Sequence, residues 1–184
     1  MGSRTTSYIM KGVTVPQTDF ARAFKYEKWF NIAALEVFAT DVRTFAILGN
    51  SITDGKGSTT NKQDRWPDEM SFYLNEVYGR EQQRRDGKKH EYGILNLGIG
   101  NNRVLSVGFG EAAIKRFDRD ILGQHGVTDV VIFEGINDIG TTKASSSMAK
   151  QLIEAYKSMI EKCRKAHLRV WLATITPMKG SAYY

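Results

Sequence analysis

The fold class this sequence predicts is α/β, a three-layer α/β/α sandwich with a parallel central sheet. Three observations predict it. From residue 44 onward the chain reads strand, helix, strand, helix, strand, helix, strand, the pattern of a sheet with helical crossovers. The strands are short runs dominated by apolar residues, such as Phe45-Ala46-Ile47-Leu48 and the stretch Val127 to Phe133, as expected where helices cover both faces of a parallel sheet. The first three strands each run into a polar loop containing glycine, and loops at the carboxyl ends of parallel strands are where such sheets bind ligands.

The 184 residues suit one domain. We divide them into an N-terminal extension, 1–43, packing on the domain, and the domain itself, 44–184. Residues 1–17 show no clear pattern. Residues 18–38 are rich in aromatics, with Phe20, Phe24, Tyr26, Trp29, Phe30 and Phe38. The early part of that stretch is compatible with a helix, and Leu35-Glu36-Val37-Phe38 alternates like an edge strand. The aromatics read as packing against the domain.

The first firm strand is Thr44 to Leu48, followed by a polar loop from Gly49 to Arg65. Pro67 opens a helix with Asp68 and Glu69 in its first turn, the expected start signals. Met70, Tyr73, Leu74, Val77 and Tyr78 form its apolar stripe, and Gly79 reads as its stop. Tyr92 to Leu97 is the second strand and runs into Gly98-Ile99-Gly100-Asn101-Asn102. A shorter helix covers Glu111 to Leu122, and the third strand, Val127 to Phe133, leads into Glu134-Gly135-Ile136-Asn137-Asp138. Ser145 or a neighbouring serine can cap the next helix, whose stripe of Met148, Leu152, Tyr156, Met159, Ile160 and Cys163 extends to about His167. Val170 to Ile175 is the fourth strand.

Composition narrows the function classes. No apolar run approaches the roughly 20 residues a membrane helix needs, and no apolar signal-peptide core follows Met1-Gly2-Ser3-Arg4. The net charge of +6 is scattered, densest at Arg80, Arg84, Arg85, Lys88 and Lys89, with no interleaved aromatics. A single-strand platform needs those aromatics, so this stretch reads as a solvated surface, and neither nucleic acid nor membrane is expected as a partner. The single cysteine, Cys163, excludes an internal disulfide and a cysteine-based metal site, and it reads as a small core residue.

Three loops remain, carrying Ser51, Gly98 to Asn102, and Asn137. A parallel sheet brings them to one edge. Acyl transfer needs a nucleophile and donors aimed at the developing oxyanion. Ser51 can supply a hydroxyl and its own N–H, the glycine loop a second N–H, and the Asn137 amide a third donor. Two nucleotide motifs fail on spacing. Five residues separate Gly49 from Gly55 where a P-loop has four, and Arg103 occupies the third glycine position of a dinucleotide fingerprint. A nucleotide-binding α/β protein therefore stands only as a weak alternative.

The three loops resemble the blocks of the SGNH hydrolases, the GDSL-type esterases and lipases. Gly49-Asn50-Ser51-Ile52-Thr53-Asp54-Gly55 looks like their Gly-Asp-Ser block, Asn96-Leu97-Gly98-Ile99-Gly100-Asn101 like their Asn-x-Gly-x-x-Gly loop, and Gly135-Ile136-Asn137-Asp138 matches Gly-x-Asn-Asp. The resemblance runs from about Thr44 to Pro177 and implies the flavodoxin-like fold of that family. It further implies Ser51 and Asn137 as catalytic residues, with an oxyanion hole from Ser51, Gly100 or Asn101, and Asn137. It implies no cofactor and no metal, an ester or acylated carbohydrate as substrate, and a secreted or periplasmic setting. Asn102-Arg103-Val104-Leu105 and Arg116-Phe117-Asp118-Arg119-Asp120 look like a carbohydrate-esterase-like branch.

The chain departs from the family pattern in three places. Asn50 replaces the aspartate. Asn101 stands where an ungapped count puts the second-block glycine, so either Asn101 must accept a positive φ or Gly100 takes the role. The late Asp-x-x-His block that carries the family's base is absent from the sequence, and His90, His125 and His167 each precede a strand. The expectation is a hydrolase whose base comes from a missing segment or a second chain, and the alternative is a catalytically silent glycan-binding module.

Overall fold

A computed structural model describes residues 4–12, 20–27, 35–141 and 145–180. In the extension, β1 (Ser7–Ile9) and β2 (Phe24–Tyr26) form a small antiparallel ribbon. The domain proper begins with β3 (Arg43–Gly49), followed by the one-turn helix α1 (Ser51–Asp54). A long helical segment follows, made of α2 (Trp66–Phe72), a π-helical stretch at Tyr73–Tyr78, and α3 (Gly79–Asp86). Then come β4 (Tyr92–Gly98), α4 (Ala113–Phe117) running into a second π-helical stretch at Asp118–Leu122, and β5 (Asp129–Phe133). The one-turn helix α5 (Ile136–Gly140), the long helix α6 (Ser146–Lys165) and β6 (Arg169–Leu172) complete the described order.

The sheet runs β4-β3-β5-β6, with all three pairings parallel. Alternation along the strands sorts side chains between two layers. Ala46, Leu48, Val130 and Ile132 face a core shared with Phe117 of α4 and Leu152, Ala155, Met159 and Cys163 of α6. Phe45, Ile47 and Val131 face a smaller core, where Trp66, Met70 and Leu74 of the long helical segment pack. Cys163 is fully buried, as its place on the apolar stripe predicts. Ser145 caps α6 by accepting from the Met148 N–H at 3.1 Å.

Four expectations change. The helix that opens at Trp66 does not stop at Gly79, whose backbone is helical, and it runs on to Asp86 before Gly87 ends it in the left-handed region. Gly79 lacks a side chain because a Cβ there would press on the His90 carbonyl oxygen at 2.9 Å. The stretch compatible with a helix forms strand β2 at 24–26, and Leu35 to Phe38 forms no strand. The described aromatics of the extension are largely exposed, with Phe24 at 70% and Phe38 at 102%. Among the described residues, polar contacts join the extension to the domain: Asn61 donates to the Arg4 carbonyl and the Thr6 hydroxyl and accepts from the Thr6 N–H. Trp29 and Phe30 lie outside the described residues.

Candidate active site

Register places the three loops side by side. Gly49 of β3 pairs with Gly98 of β4 on one side and Phe133 of β5 on the other. Ser51 therefore emerges two residues beyond the sheet, Gly100 two residues beyond it on the neighbouring strand, and Asn137 four residues beyond it on the third.

In the first loop, Asn50 is the N-cap of α1 and its Oδ1 accepts from the Ile52 N–H at 3.0 Å. Ser51 is the first helical residue, so its N–H has no acceptor within the helix. Ser51 is partly exposed, whereas Asn50 beneath it is buried. Helix α1 sits hard against the sheet ends. A Cβ at Gly49 would overlap the Thr53 side chain, and one at Gly98 would overlap the Asp54 backbone nitrogen. Asn96 of β4 donates to the Thr53 carbonyl at 2.8 Å, and the Ile99 N–H donates to the Gly49 carbonyl at 3.0 Å.

The second loop settles which residue takes the unusual backbone. Asn101 adopts φ +53°, and Gly100 stays outside the positive region. Asparagine tolerates the left-handed conformation better than most residues. Among the described residues, neither the Gly100 nor the Asn101 N–H donates to a partner.

In the third loop, Gly135 takes φ +110° as the N-cap of α5, where a Cβ would strike the Tyr156 hydroxyl. Asn137 is 2% exposed, and its Nδ2 donates to the Asn102 carbonyl at 2.8 Å. An amide has two N–H bonds, so one remains. Asp138 accepts from the N–H groups of Val104 and Leu105 at 2.8 and 2.9 Å, which ties this loop to the second.

Two buried ionisable residues brace the site. Arg116 donates to Asn102 Oδ1 from Nε and Nη2, to the Leu97 carbonyl, to the Gly49 carbonyl and to Asp120. Desolvation holds its guanidinium below its ordinary pKa. With 1% exposure it is spent inside the fold. Glu134 accepts from Asn50 Nδ2 at 2.9 Å and from the Gly135 N–H at 3.2 Å, both on Oε2. Burial pushes its carboxyl up to about 8, against the pull of those two donors and of Arg116.

Sequence reasoning singled out neither residue for this role. An acid ending an apolar strand, and an arginine four residues before an aspartate on a helix, were the available signals. Their partners lie up to 84 positions away.

None of the three histidines is near Ser51 in the fold. His90 precedes β4 and contacts Asp86 at 2.8 Å, His125 precedes β5 and contacts Glu36, and exposed His167 precedes β6. All three sit at the amino ends of parallel strands, opposite the three loops.

A parallel sheet with a serine, a backbone-donor loop and an asparagine after successive strands defines an α/β hydrolytic scaffold of the SGNH kind. Residues 47–184 match the GDSL-like Lipase/Acylhydrolase family, and the chain belongs to it. Solved structures share the fold. A lipolytic protein of the G-D-S-L family from Desulfitobacterium hafniense DCB-2 is 22% identical, with a TM-score of 0.50 over 76% of this chain and 63% of its own. AlinE4, an SGNH-hydrolase family esterase, is 17% identical, with a TM-score of 0.52 over 79% and 67%. The psychrotrophic esterase EstA from Pseudoalteromonas sp. is 20% identical, with a TM-score of 0.50 over 77% and 65%. The chain thus spans about two thirds of the length of these relatives. No curated protein matches it.

Proposed function

We propose that this chain carries the nucleophile and oxyanion hole of a carboxylic ester hydrolase acting on short-chain esters, with acylated carbohydrate as the substrate class. The observation that carries the reading is the register that sets Gly49, Gly98 and Phe133 abreast, so that the loops of Ser51, Gly100-Asn101 and Asn137 leave the sheet together. Ser51 Oγ attacks the ester carbonyl, and the Ser51 N–H, the N–H of Gly100 or Asn101 and the free N–H of Asn137 receive the oxyanion. The alcohol leaves, and water hydrolyses the acyl-enzyme. No cofactor or metal enters this path.

A serine hydroxyl needs a base to act as a nucleophile. Since all three histidines sit at the far end of the sheet, we assign the base to a histidine and aspartate outside these 184 residues, in a further segment or second chain. The same observation favours a second reading, an acyl-glycan-binding module with no turnover. The complete protein decides between them. A fluorophosphonate labels Ser51 in the esterase and fails to label the module. In the esterase, Ser51→Ala abolishes hydrolysis of short-chain aryl esters with an unchanged far-UV spectrum, and undiminished turnover in that variant overturns the assignment.

A further inference from the structure

We propose that Glu134 is a positioning residue whose single carboxyl oxygen fixes the separation between the Ser51 loop and the Asn137 loop by accepting a hydrogen bond from each. The proposal rests on the reading of Ser51 and Asn137 given above.

The geometry is a two-point clamp. Oε2 accepts from Asn50 Nδ2 at 2.9 Å on the nucleophile side and from the Gly135 N–H at 3.2 Å on the oxyanion side. Neither donor is free to drift. Asn50 is held at its other end by the Ile52 N–H, one residue past Ser51. Gly135 caps the helix that carries Asn137 and lies under the Tyr156 hydroxyl, which donates to the Glu134 carbonyl at 2.9 Å. Moving Glu134 therefore moves both loops.

A buried carboxyl is a costly way to fill space. Glu134 is 2% exposed, and its Oε1 is buried with no hydrogen-bond partner among the described residues. A leucine would fill the volume without the orphaned Oε1, but it would leave Asn50 Nδ2 and the Gly135 N–H without their acceptor. What a leucine lacks is an acceptor shared by two loops.

The charged and titratable groups facing Glu134 are Arg116 from α4, Asp138 from α5 and Tyr156 from α6. Burial outweighs Arg116 and the two N–H donors, so the carboxyl is largely neutral at pH 7. Oε2 keeps both of its accepted bonds in that state when Oε1 is the oxygen that carries the proton. Glutamine is the near mimic of that state and keeps the shared acceptor.

The test is steady-state hydrolysis of a short-chain aryl ester by the complete protein, with Ser51→Ala as control. Misplacing reacting groups by about 1 Å can cost about a hundredfold in rate, and a loss of that order in kcat, with KM little changed, is expected for Glu134→Leu. Glu134→Gln restores kcat and removes an inflection near pH 8 from the wild-type profile. If Glu134→Leu does not fold, Asn50→Ala, which withdraws the donor from the other side, gives the same kcat loss. Equal losses in the glutamine and leucine variants, wild-type kcat in either leucine or Asn50→Ala, or an inflection that persists in glutamine overturns the proposal. When Ser51→Ala is inactive and Glu134→Leu is normal, only the clamp fails. When Ser51→Ala turns over normally, the site reading itself fails.

Discussion

Asn50 stands where the family has an aspartate, and the residue beside it accounts for the exchange. Its Nδ2 donates to Glu134 Oε2 at 2.9 Å while its Oδ1 holds the Ile52 N–H. An aspartate can do the second task but has no N–H for the first, and two carboxyls at that distance cannot both ionise easily. Asn50→Asp should therefore be pH-sensitive. Near pH 5 one of the two acids keeps a proton and supplies the missing donor. Near pH 8 the pair is pressed to ionise, and the unpaired buried acceptor costs roughly 1–3 kcal/mol. Urea unfolding at both pH values measures this, and an equal midpoint shift at the two would refute it. The sequence showed Asn50 as a departure but not its reason, because the partner lies 84 residues away on another loop. Asn101 was half legible. A single residue's tolerance of positive φ is a local property, but the sequence left Gly100 as the alternative, and the observed +53° at Asn101 decides between them.

Among the elements, those with a strong period or a dense apolar run were readable. β3, β5 and α6 fall within a residue or two of their expected bounds, and the Ser145 cap is where the serine run suggested. The one-turn helices α1 and α5 were not readable, since four or five residues show no period. These unread elements carry Ser51 and Asn137. What seats α1 is the absence of side chains at Gly49, where the Thr53 side chain packs on β3, and at Gly98, where the α1 backbone meets β4. Gly98→Ala would drive a methyl into the Asp54 backbone nitrogen and within 2.8 Å of the Thr53 carbonyl carbon. Backbone cannot rotate away as a side chain can, so α1 must shift, at about 1–3 kcal/mol for overpacking. Because Ser51 begins that helix, labelling by a fluorophosphonate should slow more than the stability loss explains. Wild-type labelling rates in a variant with a lowered unfolding midpoint would contradict this.

At the scale of the whole molecule, β5 carries a buried carboxyl at each end, and the two push stability in opposite directions with pH. Asp129 begins the strand away from the three loops and accepts from Arg43, Thr128, Trp171 and Arg169. Burial raises its pKa, but those donors, Arg43 foremost, more than offset this and hold it below the ordinary carboxylate range. The folded state thus favours its ionised form. Its stabilisation is present above the ordinary value of 3.8 and is lost as pH falls through the lowered folded value. Glu134, just past the strand's other end, is raised from 4.5 to about 8. The folded state favours its protonated form, so that contribution is complete below 4.5 and fades as pH rises toward 8. The summed contribution of these two groups is greatest between those ranges, at about pH 4–5. Thermal unfolding across pH 2 to 9 separates the two groups. Asp129→Asn should lower stability at pH 5 by roughly 1.5–3 kcal/mol and make the acid limb shallower while leaving the alkaline decline. Glu134→Gln should flatten the decline between pH 5 and 8 and leave the acid limb. An alkaline decline unchanged by Glu134→Gln would mean that the carboxyl buried beneath the Ser51 loop is not the group that titrates there.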